Sequence, residues 1–263
     1  LVIAWLTWVL ASLRWLEFTR GTIVTLFVFL LLISCSIAIS HYKRISYWIR
    51  TNKKYILKVE LLWLGLFIFD LLIRRANPDL WHPVYGGEKP MDFSYFNAVI
   101  KSTYFPPYDP WFSGGHINYY YYGFFVVAVL IKAIGIDPAV GFNLAVPMFF
   151  ALTVAGAYTV VYNLADGTCG DRRPRWSPIL GGLVAGLLVA VAANLDGAIQ
   201  MGQGVWRVLV EGVPFGEFDF WRSSRMMPPD PPGFEITEFP FFTFLFGDLH
   251  AHMIAIPFTI LKK

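Results

Sequence analysis

Charge is scarce in this sequence. Asp, Glu, Lys and Arg make up 15% of its 263 residues, against about a quarter in an ordinary soluble domain, which is too little to coat a water-exposed surface. Cysteine is rarer still: Cys35 lies in an apolar run and Cys169 in a polar one, so neither a disulfide framework nor a cysteine metal site is indicated. The net charge of +3 comes from scattered loop residues rather than a basic patch, which argues against a nucleic-acid partner. No second copy of any long motif is present, as an inverted-repeat transporter would require. What is abundant is hydrocarbon: 56% of the residues are hydrophobic and 18% aromatic. The expected class is therefore all-α, a polytopic transmembrane helical bundle in a lipid bilayer.

In chain order, residues 1–13 are apolar but short of a span of about twenty residues, whereas TIVTLFVFLLLISCSIAIS, 22–40, is long enough. Residues 41–58 carry Lys43, Arg44, Arg50, Lys53, Lys54 and Lys58 and no acid. They are expected as a basic cytoplasmic loop under the positive-inside tendency. Residues 59–73 then cross outward, with Asp70 four residues before Arg74, where one helical face lets them pair. This divides the chain into an N-terminal part, 1–58, and a larger module, 59–263, with external loops at 74–118 and 195–240. The first residue is not Met and both ends fall in apolar segments, so the chain is expected to be a fragment whose remainder is one of its partners.

Two further apolar runs, 119–136 and 141–163, are joined by IDPAVG, and Lys132 is expected to snorkel to an interface. Arg172, Arg173 and Arg175 follow. If both runs cross, these arginines fall on the outer side, so either the charge tendency fails here or one run is interfacial or re-entrant. Residues 179–194 hold Gly182 and Gly186 at the spacing of close helix packing. Segment 195–240 is rich in Gly and Pro and carries Asp196, Glu211, Glu217, Asp219, Asp230, Glu235 and Glu238, so it reads as an external loop.

The stretch the chain is organised around is EKPMDFSYFNAVIKSTYFPPYDPWFSGGHINYYYYG, 88–123. Pro90 suits a first helical turn and Asp92 the positive end of the helix dipole. Phe93, Phe96 and Ile100 recur at helical spacing, which predicts an amphipathic juxtamembrane helix lying along a membrane surface. FPPYDPWFSGG can extend neither helix nor strand, and Tyr119 to Tyr122 form an aromatic belt before the next span. Glu88 and Asp92, four apart, can share a helical face as a carboxylate pair. His82 and His116 read as solvated loop residues, His116 being the nearer to the membrane.

The last run, EFPFFTFLFGDLHAHMIAIPFTIL, is interrupted by Gly247, Asp248, His250 and His252. Placing an Asp at the centre of a bilayer costs about 2.5–3.5 kcal/mol, so this break is expected to face protein, a watery cavity or the interface. Extended, Asp248, His250 and His252 project to one side and can converge on a divalent metal; helical, only Asp248 and His252 share a face. No other cofactor is indicated by any motif.

GGEKPMDFSYFNAVIKSTYFPPYDPWFSGGHINYYYYG together with EFPFFTFLFGDLHAH resembles the "YYY" membrane-protein family, large polytopic proteins without an established activity, over most of the chain from about residue 60. An early external acid, a juxtamembrane helix, a proline-rich loop and an aromatic-rich start to the next span also resemble glycosyltransferases of the GT-C fold, which use polyprenyl-phosphate-linked sugars. That resemblance implies transfer at the external face of the plasma membrane, with Asp92 the best match to the catalytic acid and Glu88 second. EKPMD offers two acids where that family shows one, so the choice between them stays open. On this reading Lys89, Arg222 and Arg225 meet the lipid phosphate. Asp109, Trp111, His116, Asn118, Tyr119 and Tyr120 line the sugar or lipid groove, and Asp248, His250 and His252 hold a metal or the phosphate. A transporter or a non-enzymatic assembly subunit are the competing classes; the second leaves the external clustering of acids and histidines unexplained.

Overall fold

The structure is a computed structural model that describes residues 1–82, 87–167, 177–192, 195–219, 221–225 and 238–261. Cys169, Arg172, Arg173, Arg175, Asp230 and Glu235 lie outside the described residues. Among those described there are ten α-helices and no strand, so the all-helical expectation holds. The chain divides into two compact units, Leu1–Ala155 with Gly247–Lys263, and Gly156–Phe246.

The first unit opens with α1 (Val2–Ser12) and α2 (Arg20–Ser40). Thr19 caps α2, its hydroxyl accepting from the Thr22 N–H at 3.2 Å. At 21 residues α2 is long and apolar enough to cross a membrane, and nearly all of its surface faces outward, as expected of a helix solvated by lipid. α3 (Tyr42–Ala76) runs for 35 residues, roughly 50 Å at the usual rise per residue. The basic stretch 41–58, expected as a loop, is the first half of this helix. Lys, Arg and Tyr are adequate helix formers, and no Gly or Pro interrupts them.

α4 (Lys89–Lys101) packs on α5 (Tyr121–Ile134). α4 is enclosed by its own unit: Lys89, Asp92, Phe96, Ala98 and Val99 are buried, and of its residues only Lys101 is exposed. The cause is aromatic packing. Phe93 and Phe96 each set their rings edge-on to Phe142 at 5.8 Å, and Phe96 also reaches Phe124, contacts worth about 0.5–1.5 kcal/mol each beyond area burial.

α5 and α6 (Pro138–Gly167) form a tight hairpin. Gly135 ends α5 in the left-handed region (φ 84°), where glycine carries no Cβ penalty, and Asp137 accepts from the Ala139 N–H at 2.8 Å to start α6. α5, at 14 residues, is shorter than a span; α6, at 30, is long enough. Lys132 donates to the Phe18 carbonyl and lies 3.9 Å from the Phe18 ring centroid, so it is held inside this unit rather than snorkelling. α10 (Ala251–Leu261) closes the unit against α5, with Gly123 so near Ile254 that a Cβ there would come within 2.8 Å.

The second unit holds α7 (Pro178–Ala190), α8 (Asp196–Trp206) and α9 (Pro240–Phe246). Gly182 lies against Tyr158, where a Cβ would sit 2.6 Å from the ring, in keeping with the small-residue spacing. The expected loop 195–240 is helical at its start: α8 continues through a π-helical turn, Arg207–Glu211.

Candidate functional site

Three separate pieces of the first unit build one polar cluster: the end of α3, the start of α4, and the turn before α10. Arg74 organises the floor. Its Nε donates to Asn143 Oδ1 at 2.6 Å, and its two terminal nitrogens donate to the Asn77 and Asp79 carbonyls at 2.7 and 3.2 Å. Asn143 in turn donates to the Pro78 carbonyl. The chain leaving α3 is thus pinned to α6. The Asp70–Arg74 pair expected from sequence is only an electrostatic neighbourhood: the guanidinium is committed to these partners, and among the described residues buried Asp70 Oδ2 accepts no hydrogen bond. Gly247, at φ 75°, rests on the Arg74 guanidinium, which fixes how the turn passes over it.

That turn aims its side chains at α4. His250 Nε2 lies 3.2 Å from Glu88 Oε2 and 3.8 Å from both Asp92 Oδ2 and Asp248 Oδ2. One imidazole is therefore shared among three carboxylates. Asp92 is 0% and Asp248 2% exposed, whereas the Glu88 side chain is 55% exposed and forms the outer lip. Asp92 follows the first turn of α4, its N–H donating to the Glu88 carbonyl at 2.9 Å, near the positive end of the helix dipole. Burying such acids is costly without compensating charge, and Arg74 and Lys89, both buried, supply it. Burial pushes the Lys89 ammonium below its ordinary range; Asp248 and Asp79 pull it back and Arg74 pushes it further down. Burial likewise lowers the Arg74 guanidinium, and Asp248, Asp70 and Asp79 oppose the fall.

The donor set fits a divalent cation. Ligand atoms of Asp92, Asp248 and His250 all lie within 4.8 Å of one another, and two carboxylates with one imidazole suit a hard or borderline metal. Of the expected metal set, Asp248 and His250 lie in the non-helical turn after Gly247, beside Asp92 of α4, and His252, in α10, is exposed with its ring 5.5 Å from that of His250.

The loop after α4 supplies the remaining sequence-predicted residues. Asp109 accepts from the Trp111 N–H at 2.8 Å, and a single bridge joins Tyr108 to His116, so Asp109 shapes the loop. Trp111, His116, Asn118 and Tyr120 are exposed. Tyr119 packs its ring 5.7 Å from Tyr95. The Tyr95 phenol is raised by burial and by the charges of Asp109 and Asp92. Trp5, Trp8 and Tyr119 to Tyr122 line an open cavity of about 450 Å³. Arg222 and Arg225 belong to the second unit, where Arg222 pairs with Asp196 at 2.6 Å and Arg225 lies over the Trp221 ring. Arg74, Asp79 and Asn143 were not expected at the site. The available signal was Asn143 in the second turn of α6, at the head of the apolar run 144–152.

A helical chain with spans set in lipid and a buried acid–histidine cluster is an integral membrane protein with a built polar site. The chain belongs to the family described as uncharacterized membrane protein (DUF2298), whose model matches residues 2–262. No curated protein and no solved structure matches it at a significant level.

Proposed function

We propose that residues 59–263 form a GT-C-like module of a multi-pass plasma-membrane glycosyltransferase, which moves a sugar from a polyprenyl-phosphate donor to an acceptor hydroxyl at the external face. The observation that carries this reading is the convergence of Asp92, Asp248 and His250, with Glu88 at the rim and two buried cations behind. Two buried carboxylates and an imidazole brought together at metal-ligand distances are how sites tune acid–base groups or hold metals.

In the reaction, the acceptor oxygen attacks the anomeric carbon, and the bond from that carbon to the phosphate oxygen breaks with its electron pair leaving on the polyprenyl phosphate. Asp92 takes the hydroxyl proton. A divalent cation bound by Asp92, Asp248 and His250 would supply charge stabilisation for the departing phosphate. Lys89 and Arg74 hold the acids in place from below, and exposed Trp111 and Tyr120 offer stacking faces to the sugar or the lipid.

The test is native mass spectrometry of the purified protein against a panel of polyprenyl-phosphate sugars, paired with a transfer assay on wild type and Asp92→Asn. Retention of one lipid-linked sugar with turnover lost in the variant supports the proposal. Full turnover in Asp92→Asn, or no lipid-linked sugar retained by a well-folded preparation, overturns it and moves the weight to transport.

A further inference from the structure

Helix α8 and its π-helical continuation are built inside out relative to a helix on a soluble protein. Over 196–211 the polar side chains fall on one stripe, Asp196, Gln200, Gln203, Arg207 and Glu211, at spacings of three and four. The N-terminal half of that stripe is buried and bonded: Gln200 donates to Asp196 at 2.8 Å and to the Asp219 carbonyl at 3.0 Å, Asp219 N–H donates back to Gln200, and Arg222 pairs with Asp196. Gly204 meets the Phe215 ring, and Arg207 lies over Gly216. Around the rest of the cylinder sit Ile199, Met201, Val205, Trp206, Val208, Leu209 and Val210, all exposed, Leu209 at 77%.

We infer that this segment is a membrane-interface helix, its apolar faces sunk among acyl chains and its polar stripe turned to Gly216, Asp219 and Arg222. In water such a surface is a large uncovered apolar patch. Its chemistry fits lipid. Every ionisable side chain of 196–211 lies on the polar stripe. Trp206 adjoins Arg207 in the aromatic–cation pairing that favours headgroup depth. The segment measures about 24 Å at 1.5 Å per residue, short of the roughly 30 Å hydrocarbon thickness, so it lies in the membrane rather than spanning it. The chain already shows the same solution in α2, whose exposed surface is apolar nearly all round. Segment 195–240, which reads from sequence as an aqueous external loop, thus begins as a membrane anchor. The inference is independent of the glycosyltransferase reading.

It is tested on the full chain in lipid vesicles, with Cys35 and Cys169 replaced by Ser and a single cysteine carrying a fluorophore at Leu209 (Leu209→Cys) or, for reference, on the polar stripe (Glu211→Cys). Brominated acyl chains should quench the Leu209 probe several-fold more than the Glu211 probe, with aqueous iodide giving the opposite order. A Leu209 probe open to iodide, or one shielded from both quenchers and hence covered by protein, overturns the proposal. Should Leu209→Cys fail to fold, Val205→Cys on the same outward face gives the same readout.

Discussion

The two units each bury a polar cluster, and the clusters differ in how their charges are matched. In the second unit Asp196 has Arg222 and Gln200, and Gln200 has the Asp219 backbone on both its oxygen and its nitrogen. Each strong donor meets an acceptor, and the cluster acts as a pin that holds a loop to a helix. In the first unit three carboxylates converge on one histidine, while the nearby Arg74 is spent on carbonyls and Asn143. Matched polar groups specify a conformation. Carboxylates and an imidazole gathered at ligand distances, with Arg74 and Lys89 buried beside them, are the arrangement that shifts acid–base groups or holds a metal, which is what chemistry requires.

The comparison breaks most sharply at Asp92. Asp92→Asn should lower sugar transfer by roughly 10²–10⁴-fold while leaving the melting temperature nearly unchanged, since the amide relieves carboxylate crowding; a large loss of stability with activity retained would make this cluster a pin like the other. Next comes Gly247→Ala. Its positive φ of 75° and contact with Arg74 predict a loss of about 1–3 kcal/mol, read by thermal unfolding in detergent, with weakened metal binding as the turn shifts. Glu88→Gln, which alters a partner of His250 at the rim, should weaken Mn²⁺ binding about tenfold in a calorimetric titration, with little effect on folding. An affinity unchanged by this variant would separate Glu88 from the site.

The smallest effect is a pH profile on the second cluster. The hydrogen bond from Arg222 holds the Asp196 carboxyl below its ordinary value of 3.8. Its folded-state value is therefore depressed: the stabilisation is fully present above the unfolded value and is lost as pH falls through the folded one. Arg222→Gln should flatten the acid limb of the stability curve, and the limb of the wild type should steepen relative to it below about pH 4. Identical acid limbs in the two proteins would show that the pair contributes nothing measurable.

Much of the fold was legible because its signals are local. α2, the helix at Pro90 and the close-packing face at Gly182 follow from apolar run length, first-turn residues and spacing within a few residues. The failures came where a local pattern allowed more than one outcome. The basic stretch 41–58 reads as a loop for its charge and the start of 195–240 for its glycines and acids, yet both are helical, since propensity permits a helix where no proline interrupts it. The α4 helix has an amphipathic pattern, but its polar side proved to be an interior.

By itself, the sequence determined an all-helical membrane protein and singled out two short polar stretches beside apolar runs, 88–92 with Glu88 and Asp92 and 248–252 with Asp248, His250 and His252. Only the tertiary structure decided that these two stretches meet, that Asp92 lies at ligand distance from Asp248 and His250, and that Arg74 serves Asn143 and two carbonyls. The physical reason is separation along the chain. Caps and periodicity are fixed by neighbours a turn or two away, whereas the site joins residues 74, 92, 143 and 248, whose proximity depends on α3, α4, α6 and the turn before α10 packing into one unit.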